Sequence, residues 1–180
     1  MRNEEGYRDD ITIEEEATEQ EVRSKLEIGH IIPDFRLQTV DGRVISPTDY
    51  KEKKNLVVLF FDPRNSCDWE MLAEVKRRYP EFADNNAEVL GIASGPMEEM
   101  EDCVATLKLP FPLLHDARAE ATCAYCATLS SVFVADRYGE LRFQGSICEA
   151  VDETLGEVVS TLELIEIECP ECGAPSWPQY

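Results

Sequence analysis

The chain has 180 residues, 43% of them apolar and 30% charged, a size and balance that suit one globular domain with tails. Its 37 acidic residues against 17 basic ones leave a formal charge of −20, which repels phosphate backbones and argues against a nucleic-acid partner. No stretch approaches the roughly 20 consecutive apolar residues of a membrane span, and Met1-Arg2-Asn3-Glu4 lacks the start of a secretory leader. No membrane partner and a cytoplasmic location are therefore expected.

In chain order, residues 1–27 hold ten acids against four bases and few large apolar groups, so this stretch is expected to be an acidic, disordered arm. A short helix over Glu14 to Leu26 is the alternative. From Asp34 the pattern changes. Phe35 to Thr39 alternates apolar and polar, Asp41-Gly42 signals a turn, and Arg43 to Ser46 resumes the alternation, which predicts a β-hairpin. Leu56 to Phe61 is a continuous apolar run of strand length, suited to a strand covered on both faces, and Pro63 ends it. Met71, Leu72, Val75, Tyr79 and Phe82 recur at helical spacing, predicting a helix from Asn65 or Ser66 to about Pro80.

A strand at Ala87 to Ala93 follows, then a helix carrying Met97, Met100, Val104 and Leu107 on one face. A short strand at Phe111 to Leu114 and a helix at Ala117 to Ala127 lead to a second hairpin, Ser131 to Asp136 and Glu140 to Phe143, turned by Arg137-Tyr138-Gly139. The last helix, Ala150 to about Leu164, presents Val151, Leu155, Val158, Val159 and Leu162 to the core. Strands alternating with helices and closing on a hairpin and a helix predict an α/β domain, a mixed central sheet flanked by helices. It is placed at residues 28–166, with a cysteine-containing tail at 167–180.

Several segments, taken in order, resemble one family. They are Pro33-Asp34-Phe35-Arg36-Leu37, Asp41-Gly42, Leu56 to Phe61 entering Pro63, and Cys67-x-x-Glu70 opening a helix. Val89-Leu90-Gly91-Ile92, Pro110 to Asp116 and Val132 to Gly139 complete the set. Over Ile28 to Ser146 the chain is similar to the alkyl hydroperoxide reductase/thiol-specific antioxidant (peroxiredoxin) family. The resemblance implies a thioredoxin-like fold with an N-terminal β-hairpin, and reduction of peroxides through Cys67. It also implies a thiol reductant such as a thioredoxin-type protein, no cofactor for the thiol chemistry, and compatibility with a homodimer. The active-site loop diverges from the family pattern: Pro63 stands four residues before Cys67 instead of seven, and Arg64 holds the position of the family's threonine. Ser130 falls where the family's late-strand arginine, and the cis-proline of the wider thioredoxin group, are expected.

A thiolate is the attacking form of cysteine, and the first turn of a helix supplies free backbone N–H groups and the positive end of the dipole. Cys67 falls in that turn. Arg64 is the candidate electrostatic support, opposed by the acids Asp68 and Glu70. Peroxide attack yields a sulfenic acid, which a second thiol then resolves. Read on its own, Cys67 also fits a small, half-buried residue on the face of Met71 and Val75. Cys103 reads as core filler, and Cys148, His30 and His115 show no sequence-local partner.

Seven cysteines in a chain expected to be cytoplasmic point to metal or redox chemistry. Cys123-Ala124-Tyr125-Cys126 and Cys169-Pro170-Glu171-Cys172-Gly173 are two C-x-x-C units, the second shaped like a zinc knuckle. Three readings stand side by side: one zinc site shared by Cys123, Cys126, Cys169 and Cys172, a redox dithiol in either pair, or no special role. The 42 residues between the units exceed the roughly 15–20 of a compact zinc ribbon. Two further functions compete with peroxide reduction: a non-catalytic thioredoxin-fold module that binds zinc or a protein partner, and thiol–disulfide exchange through the C-x-x-C pairs.

Overall fold

The computed structural model describes residues 26–168, so the expected arm up to residue 25 and the tail from residue 169 lie outside the described residues. Among these, strands β1 (Leu37–Thr39), β2 (Val44–Ile45), β3 (Asn55–Phe60), β4 (Ala87–Ala93), β5 (Leu113–His115), β6 (Ser131–Ala135) and β7 (Leu141–Ser146) form one mixed sheet. Helices α1 (Ser66–Asp84), α2 (Met97–Leu107), α3 (Glu120–Ala124) and α4 (Val151–Ile167) flank it. The order across the sheet is β2-β1-β5-β4-β3-β6-β7. β3 runs parallel to β4, with Leu59 opposite Gly91, and antiparallel to β6, with Phe60 opposite Ser131.

The apolar run beginning at Leu56 is thus the middle of the sheet, and all six residues of β3 are buried. Its alternation divides the core. Val57 and Leu59 face Met71, Leu72 and Val75 of α1 and Leu155, Val158 and Leu162 of α4. Leu56, Val58 and Phe60 face Ile32, Phe35, Tyr125 and Phe133. Each such side chain contributes about 1.5–3 kcal/mol on burial, so β3 is held from both faces. The strand ends where the candidate site begins.

Several boundaries differ from the sequence reading: among them, β1 starts at Leu37 where Phe35 was expected, and β7 runs on to Ser146 where Phe143 was expected to end it. α1 continues past Pro80 to Asp84. Proline removes one intrahelical bond, but around it Phe82 is fully buried, Tyr79 donates to Glu88 Oε1 at 2.9 Å, and the Asn85 side chain donates to the Glu81 carbonyl at 2.9 Å. α3 contracts to five residues because Ala119 and Cys126, at φ of 54° and 48°, take left-handed backbone on either side of it. β5 starts two residues later than Phe111 because pairing with β4 begins at Gly91 opposite Leu113. α4 extends to Ile167, its last turn held by buried Ile165 and by Glu166, which accepts from Asn55 Nδ2 at 2.8 Å.

Candidate active site

β3 delivers the chain at Phe60 to a short loop, and α1 opens at Ser66. Asn65 is the N-cap: its side-chain oxygen accepts from the Cys67 N–H at 3.0 Å, and its carbonyl accepts from the N–H groups of Asp68 and Trp69 at 3.1 and 3.3 Å. Cys67 is therefore the second residue of the helix. Its thiol is free and exposed, so the half-buried alternative does not hold. The preceding loop is fastened by the helix's own first turn. Trp69 Nε1 donates to the Pro63 carbonyl at 2.7 Å, and Asp68 Oδ2 accepts from the Asp62 N–H at 2.8 Å. Gly95 packs so closely on Pro63 that a Cβ there would lie 2.7 Å from the proline Cγ.

Arg64 is turned onto Asp62. Its Nε and one terminal nitrogen donate to the two carboxylate oxygens at 2.9 and 3.0 Å, and Glu99 Oε2 lies 3.9 Å from Nε. The hydrogen bond from Arg64 holds the Asp62 carboxyl below the usual carboxylate range, against a smaller opposing effect of burial. The same hydrogen bond raises the arginine, ahead of the Coulombic attraction of Asp62. The guanidinium thus carries its counter-ion with it.

Asp68, read from the sequence as an acid opposing the thiolate, faces inward and is 1% exposed. Its second oxygen accepts from the Ser130 hydroxyl. Ser130, in the place of the expected arginine or proline, is equally buried and holds a left-handed backbone at φ 58°. Residue spacing gave no sign of this contact, because Ser130 lies 62 residues from Asp68 and reaches it only when β6 pairs with β3.

The other thiols separate by environment. Cys103 is buried among Met100 and its neighbours, and desolvation pushes its thiol up to about 11. Cys123, Cys126 and Cys148 are exposed. Cys123 and Cys126 share one turn, the Cys126 N–H donating to the Cys123 carbonyl at 3.1 Å. Cys126 edges a cleft of about 390 Å³ with Thr128, Ser131, Gln144 and Ser146. Cys169 and Cys172 lie outside the described residues. Among the described residues no group of three or more His, Cys, Asp or Glu side chains is placed to hold a metal ion. His115 Nε2 is 3.0 Å from the carbonyl of Gly95, the residue that packs on Pro63, and His30 lies 4.0 Å from Glu27; among the described residues neither imidazole is hydrogen-bonded to Cys67.

A central strand running into a loop and a helix that opens on an exposed cysteine, with a β-hairpin paired beyond β5, defines a thioredoxin-fold protein. The match of residues 28–144 to the AhpC/TSA family places the chain in that family. It is similar to the putative peroxiredoxin bcp of Helicobacter pylori strain 26695, with 35% identity over 106 residues, 57% of this chain and 68% of the relative. Against the corresponding protein of strain J99 the identity is 35% over 95 residues, and the chain spans 60% of that relative's length. Alkyl hydroperoxide reductase E of Mycobacterium tuberculosis is 27% identical over 129 residues, 66% of this chain and 84% of the relative. In fold the chain is similar to peroxidoxin BcpB of Mycobacterium tuberculosis, with a TM-score of 0.71 at 18% identity over 80% of this chain and 99% of that one.

Proposed function

We propose that this chain is a thiol-dependent peroxide reductase with Cys67 as its nucleophile. The observation that carries the reading is the exposed Cys67 at the capped start of α1, in a chain of the AhpC/TSA family. The Cys67 thiolate attacks the terminal oxygen of a hydroperoxide, the O–O bond breaks, and the alkoxide or hydroxide leaves to be protonated. Cys67 is left as a sulfenic acid. A thiol condenses with it to a disulfide and water, and a second thiol frees Cys67 by exchange. Arg64 contributes through its pair with Asp62, which stiffens the loop before the nucleophile.

An external thiol protein of the thioredoxin type suits the regeneration step. The Cys67 thiol, exposed at the start of α1, is open to such a partner. Five free thiols among the described residues fit a reducing compartment, the cytoplasm.

Replacing Cys67 by serine is expected to abolish peroxide-dependent thiol consumption. Unchanged turnover removes Cys67 from the mechanism. The zinc reading, joining Cys123 and Cys126 to Cys169 and Cys172, draws on the first two thiols sharing one exposed turn. Stoichiometric zinc that survives dialysis is its expected result, and metal-free protein discards it.

A further inference from the structure

We propose that Asp68 and Ser130 form a positioning pair that sets the Cys67 thiol for attack on peroxide; the inference rests on the peroxide-reductase reading. An acidic residue at the third position of a helix ordinarily reaches back to the N–H of the N-cap. Asp68 does not. The Asn65 N–H is taken by the Asp62 carbonyl at 3.0 Å, and the Asp68 carboxylate reaches past it to the Asp62 N–H at 2.8 Å. One carboxylate therefore spans the whole loop from the end of β3 to the first turn of α1, with Cys67 as its neighbour in sequence.

The same carboxylate is anchored from the opposite direction by the Ser130 hydroxyl. Ser130 is held by more than this bond. Its carbonyl accepts from the Ile147 N–H at 2.8 Å, and its left-handed backbone, at φ 58°, is one that residues with a side chain seldom adopt. Strained backbone persists where the surroundings over-determine it. Here they fix a hydroxyl donor on Asp68, and both partners are 1% exposed.

A buried carboxylate with two hydrogen bonds is costly to leave half-satisfied, so its oxygens, once in place, resist rotation. The pair joins β6 to the cysteine loop at the position where the family arginine is absent, and it leaves the Cys67 side chain on the exposed side of the turn. Asp68 acts on Cys67 by fixing the loop. The hydrogen bonds supply the effect, so a neutral side chain of the same shape should serve: the carboxamide introduced by Asp68→Asn can accept from the Asp62 N–H through its oxygen and donate to Ser130 Oγ through its nitrogen.

The test compares second-order rates of Cys67 with hydrogen peroxide and with iodoacetamide, read by mass spectrometry of the Cys67 peptide, in wild type, Asp68→Ala, Ser130→Ala and Asp68→Asn. A misplacement of about 1 Å costs up to about 100-fold in an aligned displacement, so the two alanine variants are expected to lose about tenfold or more in the peroxide rate. Their iodoacetamide rates should stay within about threefold, since alkylation asks little of loop geometry, and Asp68→Asn should recover the peroxide rate to within about threefold. Peroxide rates unchanged in both alanine variants overturn the pair. So do peroxide and iodoacetamide rates that fall in step, or an Asp68→Asn variant as slow as Asp68→Ala. Failure of the underlying reading is distinct: it appears in the wild type alone, as a Cys67 that does not react with peroxide.

Discussion

Tyr125, in the middle of the Cys123–Cys126 turn, offers a sharp test of how the core layer of Ile32, Phe35, Phe60 and Phe133 is built. Its ring packs against Phe133, Phe60 and Phe35 at centroid distances of 5.2, 5.3 and 6.1 Å, and the residue is 1% exposed. Among the described residues its hydroxyl has no hydrogen-bond partner. An unpaired buried hydroxyl costs about 1–3 kcal/mol, and replacing it by hydrogen keeps the ring contacts. Tyr125→Phe is therefore expected to stabilise the fold by about 1–2 kcal/mol, raising the melting temperature by about 2–8 °C in a chain of this size.

The gain should also grow with pH. Burial, with a smaller effect of Asp34, raises the tyrosine's ionisation well above its ordinary value. Above pH of about 10 the unfolded chain releases this proton while the folded chain keeps it, so the wild type loses stability as pH rises and Tyr125→Phe lacks that loss. Thermal unfolding followed by circular dichroism at pH 7 and pH 10.5 checks both statements. A variant at least 1 kcal/mol less stable than wild type at pH 7 would show that the hydroxyl is satisfied, refuting the reasoning.

Asn65→Ala removes the acceptor of the Cys67 N–H and is expected to cost about 1 kcal/mol in denaturant unfolding, whereas Asn65→Asp, which restores a cap, should recover most of it. Thiol labelling of the folded protein at pH 8 should modify Cys67, Cys123, Cys126 and Cys148 quickly and Cys103 only after unfolding, since burial holds the Cys103 thiol at about 11. Peptide mapping at successive times reads this, and fast labelling of Cys103 would contradict its place in the core.

The parts of the fold that were legible in the sequence are those where burial writes a local pattern. The run from Leu56 to Phe60 lies inside β3, and the spacing of Met71, Leu72 and Val75 marks the face of α1 that meets it. Asn65 and Ser66 both stood before Cys67 as short polar residues at the start of a helical pattern, and the structure makes Asn65 the cap. What could not be read is what depends on distant pairing. The sequence places Asp68 among surface acids, and only the meeting of β3 with β6 turns it inward to Ser130. Pro80 looked like a helix end because its penalty is local, while the burial of Phe82 that outweighs it is tertiary. Arg64 looked available to Cys67 because Asp62, two residues earlier, gives no sign in the sequence that it will fold back onto the guanidinium.

The central claim is that Cys67 is the thiol that peroxide oxidises. Its most direct test is to treat the reduced protein with one equivalent of hydrogen peroxide in the presence of dimedone, which captures sulfenic acids, and to map the adduct by peptide mass spectrometry. The adduct is expected on Cys67 and absent from the Cys67→Ser variant. An unmodified Cys67, with dimedone on Cys123, Cys126 or Cys148 or on no cysteine at all, would contradict the account.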